Sequence, residues 1–386
     1  IDLIARDIAW LNKNPFNQFD VIFEQGQAPS TTDICVKSQY IKPYRFYAGA
    51  DNTGFDETEP NRLFIGSNLG NIFGTSHYMT LQLTSAPEIH KFWALTGNYI
   101  APLAWKDTLE FYGGFSQVKG DLNDGFGGLR NSGYSAQASG RYNWTLIPNQ
   151  SFLSEVSLGF DFKRTNNNLI YGGEKVYQSS VNLTQLVLGY NGQYTSDMLS
   201  LCFAIEGLYS PGAIFGEQTN QDYSNVQFDA KSSYFYSRGS ISPKINLPKD
   251  FTLLMILRAQ LASQNLLPSE QFGLGGANSV RGYKEREINV DNALLFTAEL
   301  HAPSHNLFLR KKTRDLIQFL AFVDYAYGRN VHKGGIETLS SYLLGVGPGI
   351  RYQIGQNFTA KTDLGIQLKK LNSKGYRINC SLVGSF

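Results

Sequence analysis

Charged side chains are scarce, at 17% of the 386 residues, against about 25% in ordinary soluble domains. With 34 basic and 32 acidic groups, the surface has almost no sign of its own. The densest basic run, Arg310-Lys311-Lys312 with Arg314, lies beside a Pro303 turn and reads as a short connection, so no nucleic-acid partner is expected. Long apolar runs are missing too. A membrane-crossing helix needs about 18 to 20 apolar residues, and a typical stretch, Leu253 to Leu257, stops at Arg258 and Gln260. Membrane-spanning helices are therefore excluded. Cysteine is rare: Cys35, Cys202 and Cys380 are far apart and odd in number. That fits neither a zinc site nor a disulfide framework, and they read as small apolar fillers. Of the five histidines only His301 and His305 are close, with Pro303 between them, so no metal is expected. Gly273 to Gly276 is not followed by Gly-Lys-Ser/Thr and is no phosphate loop. Without a clustered nucleophile there are no candidate catalytic residues, and the chain is expected to be neither an enzyme nor the holder of a cofactor. No export signal precedes Ile1, which makes a mature or truncated form the expectation.

What the sequence does have is glycine, 38 residues, and aromatic side chains, 13%. These suit strands, in a soluble all-β protein or in a membrane barrel whose strands need only about 9 to 11 residues. From Gln39 onward about sixteen alternating segments follow, at about 22 residues per strand and connection. Alternation is cleanest near the end. Tyr342, Leu344, Val346, Ile350, Tyr352 and Ile354 share one face, and Gly345, Gly347, Gly349, Arg351 and Gln353 the other. Segments 358–368 and 376–386 repeat the pattern. A soluble sandwich alternates as well, but connection length separates the two. Short turns fall around Pro102, Pro148, Pro248 and Gly355-Gln356, with a longer one from Pro303 to Arg314. Long polar loops are predicted from Asp51 to Pro60, Lys119 to Phe126, Arg164 to Tyr177, Pro211 to Phe228 and Leu266 to Asp291. Short turns at one end and long loops at the other mark outer-membrane barrels. Aromatics near strand ends, such as Tyr40, Tyr44, Trp93, Tyr99, Trp105 and Trp144, are compatible with interfacial girdles. Lumen-facing charges such as Glu110, Arg258, Glu299, Arg351, Lys361, Asp363 and Arg377 would line a hydrated path.

Residues 1–37 differ. Ile4, Ile8 and Leu11 recur at helical spacing, Asn14-Pro15 stops the helix, Phe19-Val21-Phe23 alternates, Gly26 to Ser30 turns, and Ile34-Val36 alternates again. This predicts helix, strand, turn, strand, the second half of a small α/β domain.

The most specific segment is Gln271-Phe-Gly-Leu-Gly-Gly-Ala-Asn-Ser-Val-Arg-Gly-Tyr283. It resembles the sixth extracellular loop of the superfamily that contains BamA and the two-partner secretion transporters, where a Val-Arg-Gly-Tyr tetrad tips a loop folded back into the barrel. Here the tetrad is Val280, Arg281, Gly282 and Tyr283, between the eleventh and twelfth predicted strands. A second motif of that superfamily, Phe-x-Asp on the thirteenth strand, matches Phe322-Val323-Asp324. Phe386 closes an alternating last strand, as in many outer-membrane proteins whose final strand is read by the assembly machinery. Trp10-Leu11-Asn12-Lys13-Asn14-Pro15-Phe16, Phe19 to Phe23 and Thr31 to Ile34 look like the end of the membrane-proximal POTRA domain of the secretion branch, the TpsB family.

The resemblance implies a 16-stranded antiparallel transmembrane β-barrel over 38–386, with an inward-folded loop at 265–291, preceded over 1–37 by the C-terminal part of a POTRA domain. It implies that Arg281 pairs with Asp324, that Phe322 packs beside the guanidinium, and that Gly275, Gly276 and Gly282 let the loop turn tightly. The implied protein is a monomer in the bacterial outer membrane, with its POTRA part in the periplasm. Its implied partners are a secreted exoprotein, outer-membrane lipid and the barrel assembly machinery. The implied work is export of one large unfolded exoprotein; the alternatives are a BamA-like assembly factor and a passive porin.

Overall fold

The computed structural model describes residues 2–28, 30–39, 41–121, 129–146, 151–171, 174–308, 315–332, 334, 340–371 and 374–386. Tyr40, Pro148 and the basic run at 310–314 lie outside the described residues. Helix α1 (Asp2–Leu11) turns into a hairpin of β1 (Phe19–Gln25) and β2 (Thr32–Ser38). Asn14, just before Pro15, closes the connection by donating from its amide to Ser76 O at 2.7 Å. Among the described residues no helix is long and apolar enough to cross a membrane.

Sixteen antiparallel strands then close on themselves. The first six are β3 (Tyr44–Asp51), β4 (Arg62–Ile72), β5 (His77–Ser85), β6 (Phe92–Pro102), β7 (Thr108–Asp121) and β8 (Leu129–Thr145). Next come β9 (Phe152–Tyr171), β10 (Glu174–Thr195), β11 (Leu199–Pro211), β12 (Ser233–Asn246) and β13 (Thr252–Ala262). A small separate hairpin, β14 (Phe272–Leu274) with β15 (Ile288–Val290), interrupts the wall. The last five are β16 (Asn292–His301), β17 (Asp315–Arg329), β18 (Ser340–Ile354), β19 (Phe358–Gln367) and β20 (Tyr376–Ser385). Strand β20 closes on β3 through a short register, Ser381↔Asp51 to Ser385↔Tyr47, which Phe46 and Phe386 extend by exchanging main-chain hydrogen bonds.

Alternation sorts the side chains as a two-residue period must. On β17, Leu320, Phe322, Asp324 and Ala326 are buried inside, whereas Phe319, Val323 and Tyr327 are exposed outside. On β8, Tyr134 and Trp144 both lie on the outer face, with Ala136, Ala138 and Gly140 between them. Ten residues of strand span about 33 Å, and at a tilt of about 40° the apolar band between these aromatics is about 25 Å tall, the height of an outer-membrane wall. Closure lets the strands satisfy one another's main chain within the wall, with the shortest ladder at the β20–β3 seam.

One expected loop is absent. Arg164 to Tyr177 continues β9 and β10, which run for 20 and 22 residues, and the ladder holds from Phe152↔Tyr194 to Tyr171↔Glu174. The polar run Asn166-Asn167-Asn168 reads as a turn by composition, but paired main chain needs no apolar face once it clears the membrane. Lys119 to Phe126 likewise begins as strand, since β7 continues to Asp121; residues 122–128 lie outside the described part. The cysteines are not core fillers either, because Cys202 and Cys380 are exposed.

Candidate functional site

The segment between β13 and β16 enters the barrel rather than leaving it. Its stem is the β14–β15 hairpin, and Leu274, Val280, Tyr283 and Val290 pack on Ala293, Leu295, Ala326 and Leu343 of the inner wall. An apolar patch inside a hydrated lumen is a docking surface, and covering it removes both faces from water. Gly275 and Gly276 take φ of +97° and +108° on the approach, a conformation that L side chains rarely adopt.

Arg281 at the tip is 3% exposed. Its Nε donates to Asp324 Oδ2 at 2.7 Å and its Nη2 to Oδ1 at 2.8 Å, while its own backbone N–H reaches Oδ2 at 3.0 Å. Its Nη1 donates to Glu299, and Asp363 stands 3.6 Å away. Phe322 lies under the guanidinium, 3.4 Å from ring centroid to Cζ, a cation–π contact that gains from exclusion of water. The carboxylates have further partners: His301 bonds Glu299 at 2.8 Å, and Arg351 grips Asp363 at 2.6 and 3.0 Å. The Tyr283 hydroxyl donates to Lys369 O at 2.5 Å and accepts from the Leu344 N–H at 3.3 Å, and Gln367 Nε2 donates to Gly282 O at 2.7 Å.

The structure thus brings Val280, Arg281, Gly282, Tyr283, Phe322 and Asp324 to one spot on the inner wall. Phe386 lies at the opposite end of β20 from the long loops, 81% exposed. Three features here have no counterpart in the sequence reading. The first is a glycine track: a Cβ at Gly345 would overlap Arg281 O, and one at Gly365 would overlap Gly282 N. The alternating glycines of β18 were the available signal.

The second is a cap at the long-loop end. The β11–β12 connection contains α2 (Asn220–Val226), started by a capping box in which Thr219 and Asp222 bond each other's main chain. Tyr223 points inward, 1% exposed, and bonds Asn182 O at 2.9 Å. It joins Leu183, Leu208, Tyr234, Tyr236, Leu266 and Leu267 in an apolar core between α2, the adjacent strands β10, β11 and β12, and the start of the β13–β14 connection.

The third is a buried anchor beneath that cap. Glu270 receives hydrogen bonds from Lys163 at 2.8 and 2.9 Å, from the Tyr236 hydroxyl at 2.6 Å and from Gln185 at 3.1 Å. Burial pushes its carboxyl up, but Lys163 and Tyr236 outweigh burial and hold it below the usual carboxylate range. The loop is therefore tied to the wall at β17 through its tip and to β9, β10 and β12 through its root. Glu270→Gln is expected to leave Lys163 without its counterion and to weaken the root by about 1–3 kcal/mol. The check is channel conductance of the purified protein in planar bilayers, which should rise as the cap loosens.

The family model for haemolysin secretion/activation protein ShlB/FhaC/HecB matches residues 30–352. The heme/hemopexin transporter protein HuxB of Haemophilus influenzae is 22% identical over 315 residues, 79% of this chain and 52% of that protein. The outer membrane transporter CdiB of Dickeya dadantii is 22% identical over 361 residues, 88% of this chain and 59% of that one. The chain therefore spans between half and three fifths of the length of these relatives. Among solved structures, CdiB from Escherichia coli superposes with a TM-score of 0.83 at 15% identity, over 98% of this chain and 69% of that one. BamA from Haemophilus ducreyi lacking POTRA domains 1–3 gives 0.61 at 12% identity, over 99% and 78%. At such identities the structural likeness speaks for the fold.

Proposed function

The chain belongs to the haemolysin secretion/activation protein ShlB/FhaC/HecB family, and from that membership we propose that this integral outer-membrane barrel exports one large unfolded exoprotein from periplasm to cell surface. Adhesins, haemolysins and contact toxins are the expected kinds of cargo. The observation that carries the reading is a loop that enters the lumen and is held there by Arg281 on Asp324. The loop gives the channel a defined closed state, and the family match over residues 30–352 favours a transporter over the other barrels that share such a loop. Polar walls suit the cargo, because the main chain of an unfolded polypeptide stays bonded to water on its way. The chain performs no catalysis in this reading, and folding of the exoprotein outside supplies the direction.

Residues 1–37 serve as the C-terminal part of a POTRA domain, a reading that the helix followed by a hairpin supports. Residues 38–386 are the barrel, and Phe386 is the signal that the assembly machinery reads. The barrel works as a monomer. A second reading, an assembly factor for other barrels, draws on the likeness to BamA and on the short β20–β3 register. Deletion of the gene distinguishes the two. Mass spectrometry of medium and outer membrane should show one large exoprotein missing and other barrels unchanged; a general fall in barrels would favour the assembly factor.

A further inference from the structure

Beside the loop tip, toward the short turns, the lumen opens into a chamber of about 510 Å3, within the range of cavities that hold ligands, about 300–1,000 Å3. Loop residues Ala277, Asn278, Ser279 and Arg281 form one side, and β3, β13, β16, β18, β19 and β20 form the other. Asn379, on the wall of this chamber, is 6% exposed, and neither its amide oxygen nor its amide nitrogen has a hydrogen-bond partner. Buried polar groups are nearly always partnered, so an orphaned amide with both ends free marks a place that something else fills. A group that both donates and accepts satisfies the two ends together, as a water molecule does at rest and a peptide unit can in its place, whereas a simple anion cannot.

Charge gives the second clue. Three carboxylates line the chamber: Glu299 is paired with Arg281 and His301 and Asp363 with Arg351, while Asp51, at the β3 side, accepts hydrogen bonds from the Thr53 N–H and hydroxyl. Two of the chamber's cations have no carboxylate partner among the described residues. Lys361 stands directly opposite Arg351 across β18 and β19 and forms no ion pair among the described residues. Among the described residues Arg258 reaches the carbonyl of Asn278, at 3.5 Å, and no carboxylate. Two uncommitted cations and an orphaned amide therefore face one cavity.

We propose that this chamber is a subsite for an acidic residue of an extended polypeptide, with Asn379 bonding the peptide group while Lys361 and Arg258 receive the side-chain carboxylate. The subsite deepens the transport reading and rests on it. Recognition is by one main-chain clamp and one carboxylate, which lets chains of varied sequence pass while acidic residues pause there.

The test uses the purified protein in detergent and two fluorescent probes, an unstructured Gly/Ser peptide carrying spaced glutamates and the same peptide with glutamines, followed by anisotropy. The glutamate peptide is expected to bind about tenfold more tightly than its glutamine counterpart, as for one partly desolvated charge pair. Lys361→Gln with Arg258→Gln should erase that preference, and Asn379→Ala should weaken both peptides alike. Where the double variant does not fold, Lys361→Gln alone should reduce the preference. Equal binding of the two peptides to the unaltered protein would overturn the proposal, as would a preference that survives the loss of both cations. Inorganic phosphate is the control anion: if it competes fully and Asn379→Ala changes nothing, the chamber is a simple anion site and the peptide assignment fails. Because these outcomes are read without any exoprotein, they are separable from the deletion experiment, whose failure would remove the transport reading itself.

Discussion

Asp324→Arg is expected to abolish secretion and to destabilise the barrel by about 3–5 kcal/mol, the usual cost of breaking a buried ion pair from one side. Asp324 is fully buried and accepts three hydrogen bonds from Arg281, one of them from its main chain. A second guanidinium in its place would face the first at contact distance, with Glu299 and Asp363 already engaged by His301 and Arg351. The tip cannot settle elsewhere on this wall, because Tyr283 and Gln367 fix it to the neighbouring strands β18 and β19. Asp324→Asn keeps one acceptor oxygen, turns an amide donor toward the remaining Arg281 N–H groups and loses the charge, but adds no second cation, so its effect should be milder than charge reversal. Exoprotein in the medium and urea unfolding of the purified barrel measure both variants. Normal secretion by Asp324→Arg would remove the ion pair from any account of function.

Gly365→Val is expected to lower secretion about tenfold or more. Overpacking a tight contact costs about 1–3 kcal/mol, and about 1.4 kcal/mol is a factor of ten. Valine suits a strand, so the penalty arises from contact alone: its Cβ would overlap the main chain of Arg281 and Gly282, where no side chain can swing aside. Gly384→Val is the matched control, since a Cβ there meets nothing nearer than 3.9 Å. Both variants should insert, as judged by heat-modified migration in gels. Equal secretion by the two would show that the tip does not need its glycine track.

The wall was legible in the sequence because a two-residue period survives in lipid and in water alike; the sixteen strands and the position of the loop between β13 and β16 follow from counting. The partnership of Arg281 came from a resemblance, and periodicity alone would have placed Asp324 inside without naming what it meets. Glu299 and Asp363 read as general lumenal charge, since nothing local distinguishes an acid that meets a loop from one that meets water. The root anchor was invisible for a plainer reason: Lys163 and Glu270 are 107 residues apart, and only closure of the barrel and entry of the loop make them neighbours. Thr219 and Asp222 did carry a helix-start signal, but a seven-residue helix in a polar loop has too short a period to stand out. The Arg164–Tyr177 extension shows the opposite error, in which polar composition suggested a loop where paired main chain continues.

Tip and root together describe a plug with two unlike fastenings. The tip is held by charge and by close main-chain approach, and the root by a buried carboxylate under an apolar cap. In the proposed transport cycle at least one of them has to yield to open a path for a polypeptide, and the proposed subsite at Lys361 and Arg258 would be where the incoming chain meets the tip.

The most direct measurement places a photo-crosslinking amino acid at Ser381, which faces the chamber, and in a second strain at Ile350, which is exposed on the outer face. Cells are illuminated while the exoprotein is stalled in passage. An adduct to the exoprotein is expected from Ser381 and none from Ile350. Adducts to other outer-membrane barrels from either position, with no exoprotein captured from the lumen, would contradict it.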